Sequence, residues 1–405
     1  MKLIVIGITD HPQPFLPPDV LDRVKSGRVF SGGKRHHEIM AALLPEGAQW
    51  IDITVPLDAV FEQYEQQNED IVVFASGDPL FYGFANTIQR KLPDAEIILY
   101  PSFNSLQLLA HRLVMPYHDM RVVSLTGRPW PAFDQALILR EGKIGVLTDR
   151  KHTPSAIAQR MLDYGYDYYT MHVGAHLGHP EREQVVTLSL EEAAQTTFEH
   201  PNCLILSTEK APPPRPFGLP DHQFELLDGR EKMITKMPIR LLTLQALDLP
   251  EKHVFWDVGF CTGSVSIEAR LQFPHLQVVA FEIRPECEPL ICQNSRRFGA
   301  PGIDVHMGDF LQADTDDFPR PDAVFIGGHG GRLKEIMAKV SALLQPGGCI
   351  VTNSVFSPVV QRMTDRVSSK DLFHEACLEL GLEEEAPIHI QINDYNPINI
   401  LKCKK

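Results

Sequence analysis

The sequence predicts an α/β protein of two domains. In both halves of the 405-residue chain, strand-like apolar runs alternate with helix-like segments, a pattern typical of largely parallel sheets covered by helices. The chain is also longer than one typical hydrophobic core requires. We therefore expect one domain over residues 1–207, a linker over 208–230 and a second domain over 231–405.

The composition favours a soluble cytoplasmic protein, with 43% hydrophobic and 22% charged residues. No apolar run reaches membrane length, and the N-terminus lacks a signal-peptide cleavage site, so we expect no membrane partner. The net charge of −14 argues against nucleic acid as a partner, although a local basic cluster acts over roughly 8 Å. Seven scattered cysteines without a CxxC pair predict reduced thiols and no metal site.

The N-terminal half contains regularly spaced strand and helix candidates. Strands are predicted at 3–6, 71–75, 96–100, 121–125, 143–147 and 203–207. Helices are predicted between them, at 81–91, 105–113 and 154–164. This alternation predicts a largely parallel sheet.

A proline-rich run, residues 211–220, follows the last of these strands. Proline lacks a backbone N–H and fixes φ, so this run forms neither a helix nor a ladder and is expected to be stiff and extended. The alternative, a long loop inside one domain, is uncommon in compact folds.

The C-terminal half begins with a predicted helix at 237–249. Strands are predicted at 254–258, 278–282, 303–307, 323–326, 349–353, 389–392 and 398–401. The last two are separated by residues 393–397, which predicts an antiparallel hairpin at the end of a parallel sheet. That arrangement is typical of class I methyltransferases.

Acidic residues and glycines follow successive strands of this half. Asp257 precedes a turn with Gly259 and Gly263, Glu282 ends the next strand, and Gly308-Asp309 follows the third. Glycines let backbone N–H groups approach a ligand at a helix N-terminus, and a carboxylate at the next strand end accepts from ribose hydroxyls. We expect Glu282 at the ribose and Asp309 beside the adenine. The pattern fits S-adenosylmethionine better than NAD, although a glycine turn alone is also explained by a tight strand-to-helix connection.

Two further positions bear on this cofactor site. Thr235 lies just ahead of the first helix, where it could close over the cofactor. Cys261 stands where such binders usually carry glycine, so its Cβ either crowds the ligand or is tolerated as a small side chain.

The substrate side of the same half is predicted after the fourth and fifth strands. Four glycines at 327, 328, 330 and 331 open a floor around His329 and Arg332, and Asn353 follows the next strand. We expect Arg332 and Asn353 to bind substrate and His329 to move a proton. A merely flexible loop is the alternative explanation for the glycine-rich segment, and a structural turn is the alternative for Asn353.

Three segments make a resemblance specific: Thr235 to Arg240, Trp256 to Glu268 and Phe325 to Gly328. They resemble the cobalamin-pathway methyltransferases that methylate C-15 of a corrin precursor and decarboxylate a ring acetate. The resemblance covers most of residues 231–405.

The N-terminal half carries turns of its own at strand ends. Gly77-Asp78-Pro79 follows one strand, and residues 101–107 follow the next, with Asn104 or Ser105 as the expected helix N-cap. These two turns, together with segments 31–37, 124–128 and 173–178, resemble the tetrapyrrole methylase family. The resemblance covers residues 1–207 and is greatest to the C-5 methylating branch of the family. That resemblance implies a cofactor cleft lined by Gly77, Asp78, Tyr82 and Ser105. The family's glycine-proline loop after the first strand is replaced here by residues 7–12.

Basic residues predict where an anionic substrate binds in this half. Lys34, Arg35 and His36, next to His37, form the strongest local cluster, and Arg128 is a further candidate. A corrin precursor carries many carboxylates that such a cluster would attract. A solvated surface loop is the alternative, and a His36–His37 metal pair lacks a third ligand.

The two resemblances together are those of the fused precorrin-6Y C-5,15-methyltransferases (decarboxylating). They imply a tetrapyrrole methylase fold of two α/β subdomains, followed by a Rossmann-like class I S-adenosylmethionine-dependent methyltransferase domain. They also imply one S-adenosyl-L-methionine site per domain, a small tetrapyrrole substrate and a homo-oligomer. A cofactor- and tetrapyrrole-binding protein with one silent domain, an NAD-dependent oxidoreductase and a cobalt-containing substrate remain alternatives.

Overall fold

The computed structural model describes residues 2–210, 212–355, 368–392 and 396–405. The chain divides into two compact units. The first comprises Met1–Pro129, Glu141–Leu162 and Asp167–Ala211, and the second comprises Trp130–Arg140, Asp163–Tyr166 and Pro212–Lys405.

The first unit is built from strands and helices that alternate along the chain. Its strands are β1 Lys2–Ile8, β2 Val29–Gly32, β3 Gln49–Asp52, β4 Ile71–Ser76, β5 Glu96–Tyr100, β6 Arg121–Ser124, β7 Lys143–Leu147, β8 Thr170–Ala175, β9 Gln184–Leu188 and β10 Asn202–Ser207. The helices of this part of the chain are α1 Pro18–Ser26, α2 Lys34–Met40, α3 Asp58–Glu65, α4 Phe84–Lys91, α5 Ser105–Arg112, α6 Pro131–Ile138, α7 Pro154–Asp163 and α8 Leu190–Ala194. Of these, α6 belongs to the second compact unit.

The first sheet is parallel throughout, in the order β3-β2-β4-β1-β5. Strand β1, which lies between β4 and β5, is an apolar run buried on both faces, as expected of a parallel strand covered by helices. The loops after β1 and β4 meet at one edge of this sheet. A Cβ on Gly7 would overlap the carbonyl oxygen of Gly77, so this close approach requires glycine.

The second sheet has the order β6-β7-β10-β8-β9 and differs from the prediction. Only the β6–β7 pairing among these is parallel, while β10 runs antiparallel to β7 and β8, and β9 runs antiparallel to β8. The prediction of a largely parallel arrangement over residues 1–207 is therefore right for the first sheet and wrong for the second. A strand's own composition does not encode the direction of its partner.

The second unit contains one mixed sheet and the remaining helices. Its strands are β11 Val254–Val258, β12 Gln277–Glu282, β13 Ile303–Met307, β14 Ala323–Ile326, β15 Cys349–Val355, β16 Glu383–Glu384, β17 Ile388–Ile390 and β18 Ile398–Lys404. Its helices are α9 Met237–Ala246, α10 Ser264–Gln272, α11 Cys287–Phe298, α12 Leu333–Leu343 and α13 Ser369–Leu380.

The strand order in this sheet is β13-β12-β11-β14-β15-β18-β16, and β17 pairs with β18. Strands β11 to β15 are parallel, whereas β18 runs antiparallel to β15, β16 and β17. The predicted terminal hairpin is confirmed by the β17–β18 pairing, although residues 393–395 of its turn lie outside the described residues.

Alternate side chains of β11 enter two cores on opposite faces of the sheet. Trp256 packs with Phe281, Phe310 and Met337 on one face, and Phe255 packs in the core on the other face. Since every β11 side chain is buried, the strand is fixed firmly, and the loop that follows it is held at the carboxyl edge of the sheet.

Part of the predicted linker packs into the second unit. Leu219 and Phe224 are buried in a cluster with Ile267 and Ala300. The backbone N–H of Leu219 donates to the carboxylate of Glu268. The segment therefore contributes to the core of this unit.

No helix among the described residues is long and apolar enough to cross a membrane. No group of three or more His, Cys, Asp or Glu side chains in that part of the chain is placed to hold a metal ion.

Candidate functional site

The carboxyl ends of β11, β12 and β13 bring the predicted cofactor residues of the second unit together. In the register, Val258 pairs with Phe281, and Glu282 pairs with Met307. The N–H of Gly308 donates to the carbonyl of Glu282 at 2.8 Å. Asp257, Glu282 and the Gly308-Asp309 turn consequently lie at one edge of the sheet, as parallel strands require.

The turn after β11 has a left-handed backbone at three positions. Gly259, Cys261 and Gly263 have φ values of +81°, +52° and +74°. A Cβ on Gly259 would lie 2.5 Å from the backbone nitrogen of Gly328, and one on Gly263 would overlap the side chain of Ile291. Close packing therefore requires glycine at both positions, which the glycine pattern alone did not show.

Cys261 adopts the backbone conformation that glycine adopts freely. Left-handed φ is uncommon for residues with a Cβ and costs about 1 kcal/mol or more. Its side chain is buried with Phe260, Cys287 and Ile291, which offsets part of that strain. The thiol thus packs into the protein.

Asp257 is buried, with 1% of its surface exposed. The N–H and hydroxyl of Ser266 donate to its Oδ2 at 3.2 and 2.5 Å. Burial raises the pKa of Asp257 to about 7, against the lowering effect of these two hydrogen bonds. Among the described residues no donor reaches its Oδ1, so one carboxylate oxygen is left with unused acceptor capacity.

Glu282 is also buried, but both of its oxygens are occupied. Arg284 donates from Nε to Oε1 at 3.0 Å and from Nη2 to Oε2 at 2.7 Å. The backbone N–H groups of Cys261, Ile283 and Arg284 donate to the same carboxylate. Burial alone would raise the pKa of Glu282, yet the Arg284 side chain and these N–H groups outweigh it and lower the pKa.

Asp309 and Arg332 form a bidentate ion pair. The guanidinium donates to Oδ2 and Oδ1 of Asp309 at 2.9 and 3.1 Å, and this hydrogen bonding lowers the pKa of Asp309. The predicted adenine-side residue and the predicted substrate-side residue are therefore joined.

His329 has both ring nitrogens engaged. The N–H of Gly331 donates to Nδ1 at 3.1 Å, and Nε2 lies 3.2 Å from the hydroxyl of Ser369. Burial lowers the pKa of His329, so the ring is neutral near pH 7. Since Nδ1 accepts, the proton sits on Nε2, and in this arrangement the neutral ring can donate a hydrogen bond from Nε2–H.

Asn353 and Thr235 are both tied to α9. The amide of Asn353 donates to the hydroxyl of Thr243 at 3.1 Å, and Nη1 of Arg240 donates to the carbonyl of Thr235 at 2.7 Å. The position of Thr235 therefore depends on Arg240, which is completely buried.

Arg240 has a positioning role that the sequence analysis did not assign. It donates to Glu268 and Asp221 at 3.1 Å each and also to the carbonyl of Leu219. Its place in the Thr235 to Arg240 segment was visible in the sequence, but the partners are remote along the chain.

The predicted cofactor residues of the first unit follow strands β4 and β5. Gly77 has φ +62°, and the N–H of Leu80 donates to Asp78 at 2.9 Å. Tyr82 has φ +54° and is half-exposed, with the guanidinium of Arg128 5.2 Å from its ring centre. The structure thus brings predicted cofactor and substrate residues together here.

Ser105 begins α5, and the helix is capped one residue earlier. Asn104 accepts from the N–H of Gln107, whose side chain accepts from the N–H of Asn104. This reciprocal capping box decides the open N-cap prediction in favour of Asn104. The hydroxyl of Ser105 instead interacts with the buried thiol of Cys203.

The predicted basic cluster carries less charge than its sequence suggests. Burial and the neighbouring Arg35 lower the pKa of His36 to about 4, so this ring is neutral near pH 7. His37 stacks on Trp50 with ring centres 4.1 Å apart. Lys34 is exposed, and it and Arg35 remain the cations of this segment.

Arg35 is held in place by the loops after β1 and β4. It pairs with Asp10 at 3.4 Å and donates to the hydroxyl of Ser76 at 2.8 Å. His176, nearly fully buried, lies 3.6 Å from the other oxygen of Asp10. Asp10, Ser76 and His176 were not predicted, although all three fall in segments considered for the family resemblance.

Comparison with known proteins covers both halves. The family model described as "Precorrin methyltransferase domain" matches residues 227–370, and the one described as "Tetrapyrrole (Corrin/Porphyrin) Methylases" matches residues 18–194. A precorrin-6Y C(5,15)-methyltransferase (decarboxylating) from Sinorhizobium sp is 31% identical over 356 residues, covering 87% of this chain and 84% of the relative. The chain belongs to the precorrin-6Y C(5,15)-methyltransferase (decarboxylating) family.

Each half also resembles a separate protein of Salmonella typhimurium. A cobalt-precorrin-6B C(15)-methyltransferase (decarboxylating) is 33% identical over 181 residues, covering 44% of this chain and 93% of the relative. A cobalt-precorrin-7 C(5)-methyltransferase is 26% identical over 209 residues, covering 51% of this chain and all of the relative. As a member of its family, the chain is an S-adenosylmethionine-dependent methyltransferase of cobalamin biosynthesis.

Proposed function

We propose that the chain methylates precorrin-6Y, or its cobalt-containing equivalent, at C-5 and C-15 and decarboxylates the ring C acetate. The observation that carries this proposal is the 31% identity to a precorrin-6Y C(5,15)-methyltransferase across 87% of the chain, both halves included. The first domain, residues 1–207, would methylate C-5. The second, residues 231–405, would methylate C-15 and release CO2.

Each domain is proposed to hold one S-adenosylmethionine. In the second, Glu282 would accept from the ribose hydroxyls, Asp309 would lie beside the adenine, and Asp257 with the Gly259–Gly263 turn would face the amino-acid end. In the first, the cofactor would lie along the strand-end cleft of Gly77, Asp78, Tyr82 and Ser105.

Two features of the second domain fit such a cofactor. The buried Oδ1 of Asp257 has unused acceptor capacity among the described residues, and burial of such a group calls for a donor. Gly308 has φ +131°, and no described atom lies within 4 Å of the position that a Cβ would take there. This open position leaves room for a ligand group beside Gly308.

Bound S-adenosylmethionine supplies a methyl group already activated by its sulfonium centre. The work left to the protein is to hold the accepting carbon in line and to keep water away. Arg332 would orient a substrate carboxylate, and the Nε2–H of neutral His329 would donate a hydrogen bond to a substrate atom that gains negative charge. This geometry favours His329 as a hydrogen-bond donor over a general base.

An anionic substrate would bind to individual basic residues, since the overall charge of the chain would repel it. The chain as a whole is acidic, with a net charge of −14, so tetrapyrrole carboxylates need nearby cations. Lys34, Arg35 and Arg128 supply them in the first domain, and Arg332 supplies one in the second. Arg35 is aimed by Asp10 and Ser76, which lowers the entropy lost when it binds a carboxylate.

Two variants separate the proposed activities. Glu282→Ala should abolish C-15 methylation and CO2 release while C-5 methylation continues on a substrate already methylated at C-15. Asp78→Ala should remove C-5 methylation and leave the other two changes intact. Product mass from each purified variant tests the assignment. Loss of both methylations from either variant that remains folded would contradict two independent sites.

A further inference from the structure

The Glu282 carboxylate is saturated in this structure. It accepts five hydrogen bonds, two from the Arg284 side chain and one each from the backbone N–H groups of Cys261, Ile283 and Arg284. An ionised carboxylate offers about four lone-pair directions. The five bonds already fill these directions, so two ribose hydroxyls can replace the two bonds from the Arg284 side chain but cannot be added to them.

The backbone donors cannot leave, but the side chain can. Cys261 and Ile283 belong to the turn and to the chain directly after β12, whose backbone is fixed by the sheet. The Arg284 side chain is 33% exposed, whereas that of Glu282 is 2% exposed. Arg284 can therefore rotate toward solvent without disturbing the buried carboxylate or the strand.

The Arg284 side chain also stabilises the buried Glu282 carboxylate in the ligand-free protein. A buried carboxylate without a cation or sufficient donors is costly. The two charge-assisted bonds at 3.0 and 2.7 Å supply that compensation before any ligand arrives. The same contacts then compete with the ligand for the same oxygens.

We propose that Arg284 is an intramolecular competitor for the nucleoside site of the second domain. It holds the ribose-binding oxygens of Glu282 in the ligand-free protein and leaves them when the cofactor binds. Arg284 thereby sets the affinity of this domain for S-adenosylmethionine and its product. This inference rests on the proposed role of Glu282 as the ribose acceptor.

If Arg284 is a competitor, its removal should raise the affinity for the ligand, whereas removal of a ligand contact should lower that affinity. Arg284→Ala removes the pair that binding must break, and the three backbone N–H groups still satisfy Glu282. We expect S-adenosylhomocysteine to bind the second domain of this variant about tenfold more tightly than wild type. Arg284→Lys, which keeps the charge but cannot bridge both oxygens, should fall between the two.

Salt gives a second, independent signature. Raising ionic strength weakens the Glu282–Arg284 pair, whereas S-adenosylhomocysteine carries no net charge. Wild-type affinity at this site should therefore rise with salt, and that rise should disappear in Arg284→Ala. A purely structural role for Arg284 would not produce this dependence.

The experiment is calorimetric titration of the full chain with S-adenosylhomocysteine at low and high salt. The Glu282→Ala chain serves as the reference, so that binding elsewhere is subtracted. Arg297→Ala is the matched control, because it removes another Arg–Glu pair of the same unit, that with Glu225. It should change neither affinity nor salt dependence.

Each outcome has one meaning. Tighter binding by Arg284→Ala with loss of the salt effect supports the competitor role. Weaker binding, while wild type and Glu282→Ala still differ, overturns it and makes Arg284 a ligand contact. Identical isotherms for wild type and Glu282→Ala remove Glu282 from the site and overturn the proposed cofactor role itself. Thermal unfolding of the ligand-free variants checks that each is folded.

Discussion

Arg332 donates two hydrogen bonds to Asp309, at 2.9 and 3.1 Å. The pair links the residue proposed beside the adenine to the residue proposed for the substrate, across 23 positions of the chain. Arg332 directly precedes α12, after glycines at 330 and 331 that both have left-handed φ. One ion pair therefore links the proposed cofactor side of the second domain to its proposed substrate side.

Replacing Arg332 should impair the decarboxylating methylation selectively. Arg332→Ala removes the cation proposed for a substrate carboxylate, and we expect KM for C-15 methylation to rise at least about tenfold. Arg332→Lys should recover part of the loss. Initial rates over a range of substrate concentrations give the measurement, with C-5 methylation as the internal control. Unchanged C-15 kinetics in Arg332→Ala would exclude this role.

Gly259 should tolerate no side chain. A Cβ there would lie 2.5 Å from the backbone of Gly328 in addition to requiring φ +81°, so we expect Gly259→Ala to lower the free energy of unfolding by about 3 kcal/mol. Gly330→Ala is the matched control. Gly330 has φ +56°, and no described atom lies within 4 Å of the place where its Cβ would stand, which limits the expected loss to about 1 kcal/mol.

Urea unfolding of the two glycine variants checks this difference. Equal losses would mean that the loop of Gly328 can move away from the turn. The close approach would then not be what requires glycine at position 259.

Cys261 should be a tolerated replacement for glycine. Cys261→Gly relieves the left-handed strain but loses a buried side chain, and the two effects nearly cancel. We expect its affinity for S-adenosylhomocysteine to stay within about threefold of wild type. Cys261→Val, which is branched at Cβ, should destabilise the second domain. A large gain in affinity for the glycine variant would show instead that the thiol crowds the ligand.

Asp257 should make the second domain less stable as pH rises. Its folded pKa of about 7 lies above the ordinary value, so between about pH 4 and pH 7 the folded state binds the proton that the unfolded state has released. Stability from this group is present below that window and is lost as pH rises through it.

Asn cannot titrate, so Asp257→Asn should lose that dependence. Unfolding free energies measured from about pH 4 to pH 8 should move in favour of the variant as pH rises and level off above about pH 7. Parallel curves for variant and wild type would contradict a raised pKa at Asp257.

The strand ends of the second domain were predictable because apolar runs and glycine turns are local signals. Asp257, Glu282 and Asp309 stand at three such ends, and the parallel sheet brings them to one edge. Their partners were not predictable. Arg284 and Arg332 reach them through side-chain directions that depend on loop conformation, which spacing does not encode.

The first unit shows the same limit. The turn at Gly77 and the capping box at Asn104 follow from local residue types. The neutrality of His36 depends on the charge of the adjacent Arg35 and on burial, and the ring also contacts Ser76, which belongs to a distant segment. The cytoplasmic location, the homo-oligomer and the absence of nucleic-acid and membrane partners remain predictions.

The most direct test of the proposed reaction is the mass of the product formed by the wild-type chain. The purified protein would be incubated with precorrin-6Y and S-adenosylmethionine labelled in its methyl group. The expected result is a gain of two labelled methyl groups with the loss of one CO2. A gain of one methyl group with CO2 loss would contradict an active first domain. No change in mass, with cofactor bound, would contradict the enzyme reaction proposed for this chain.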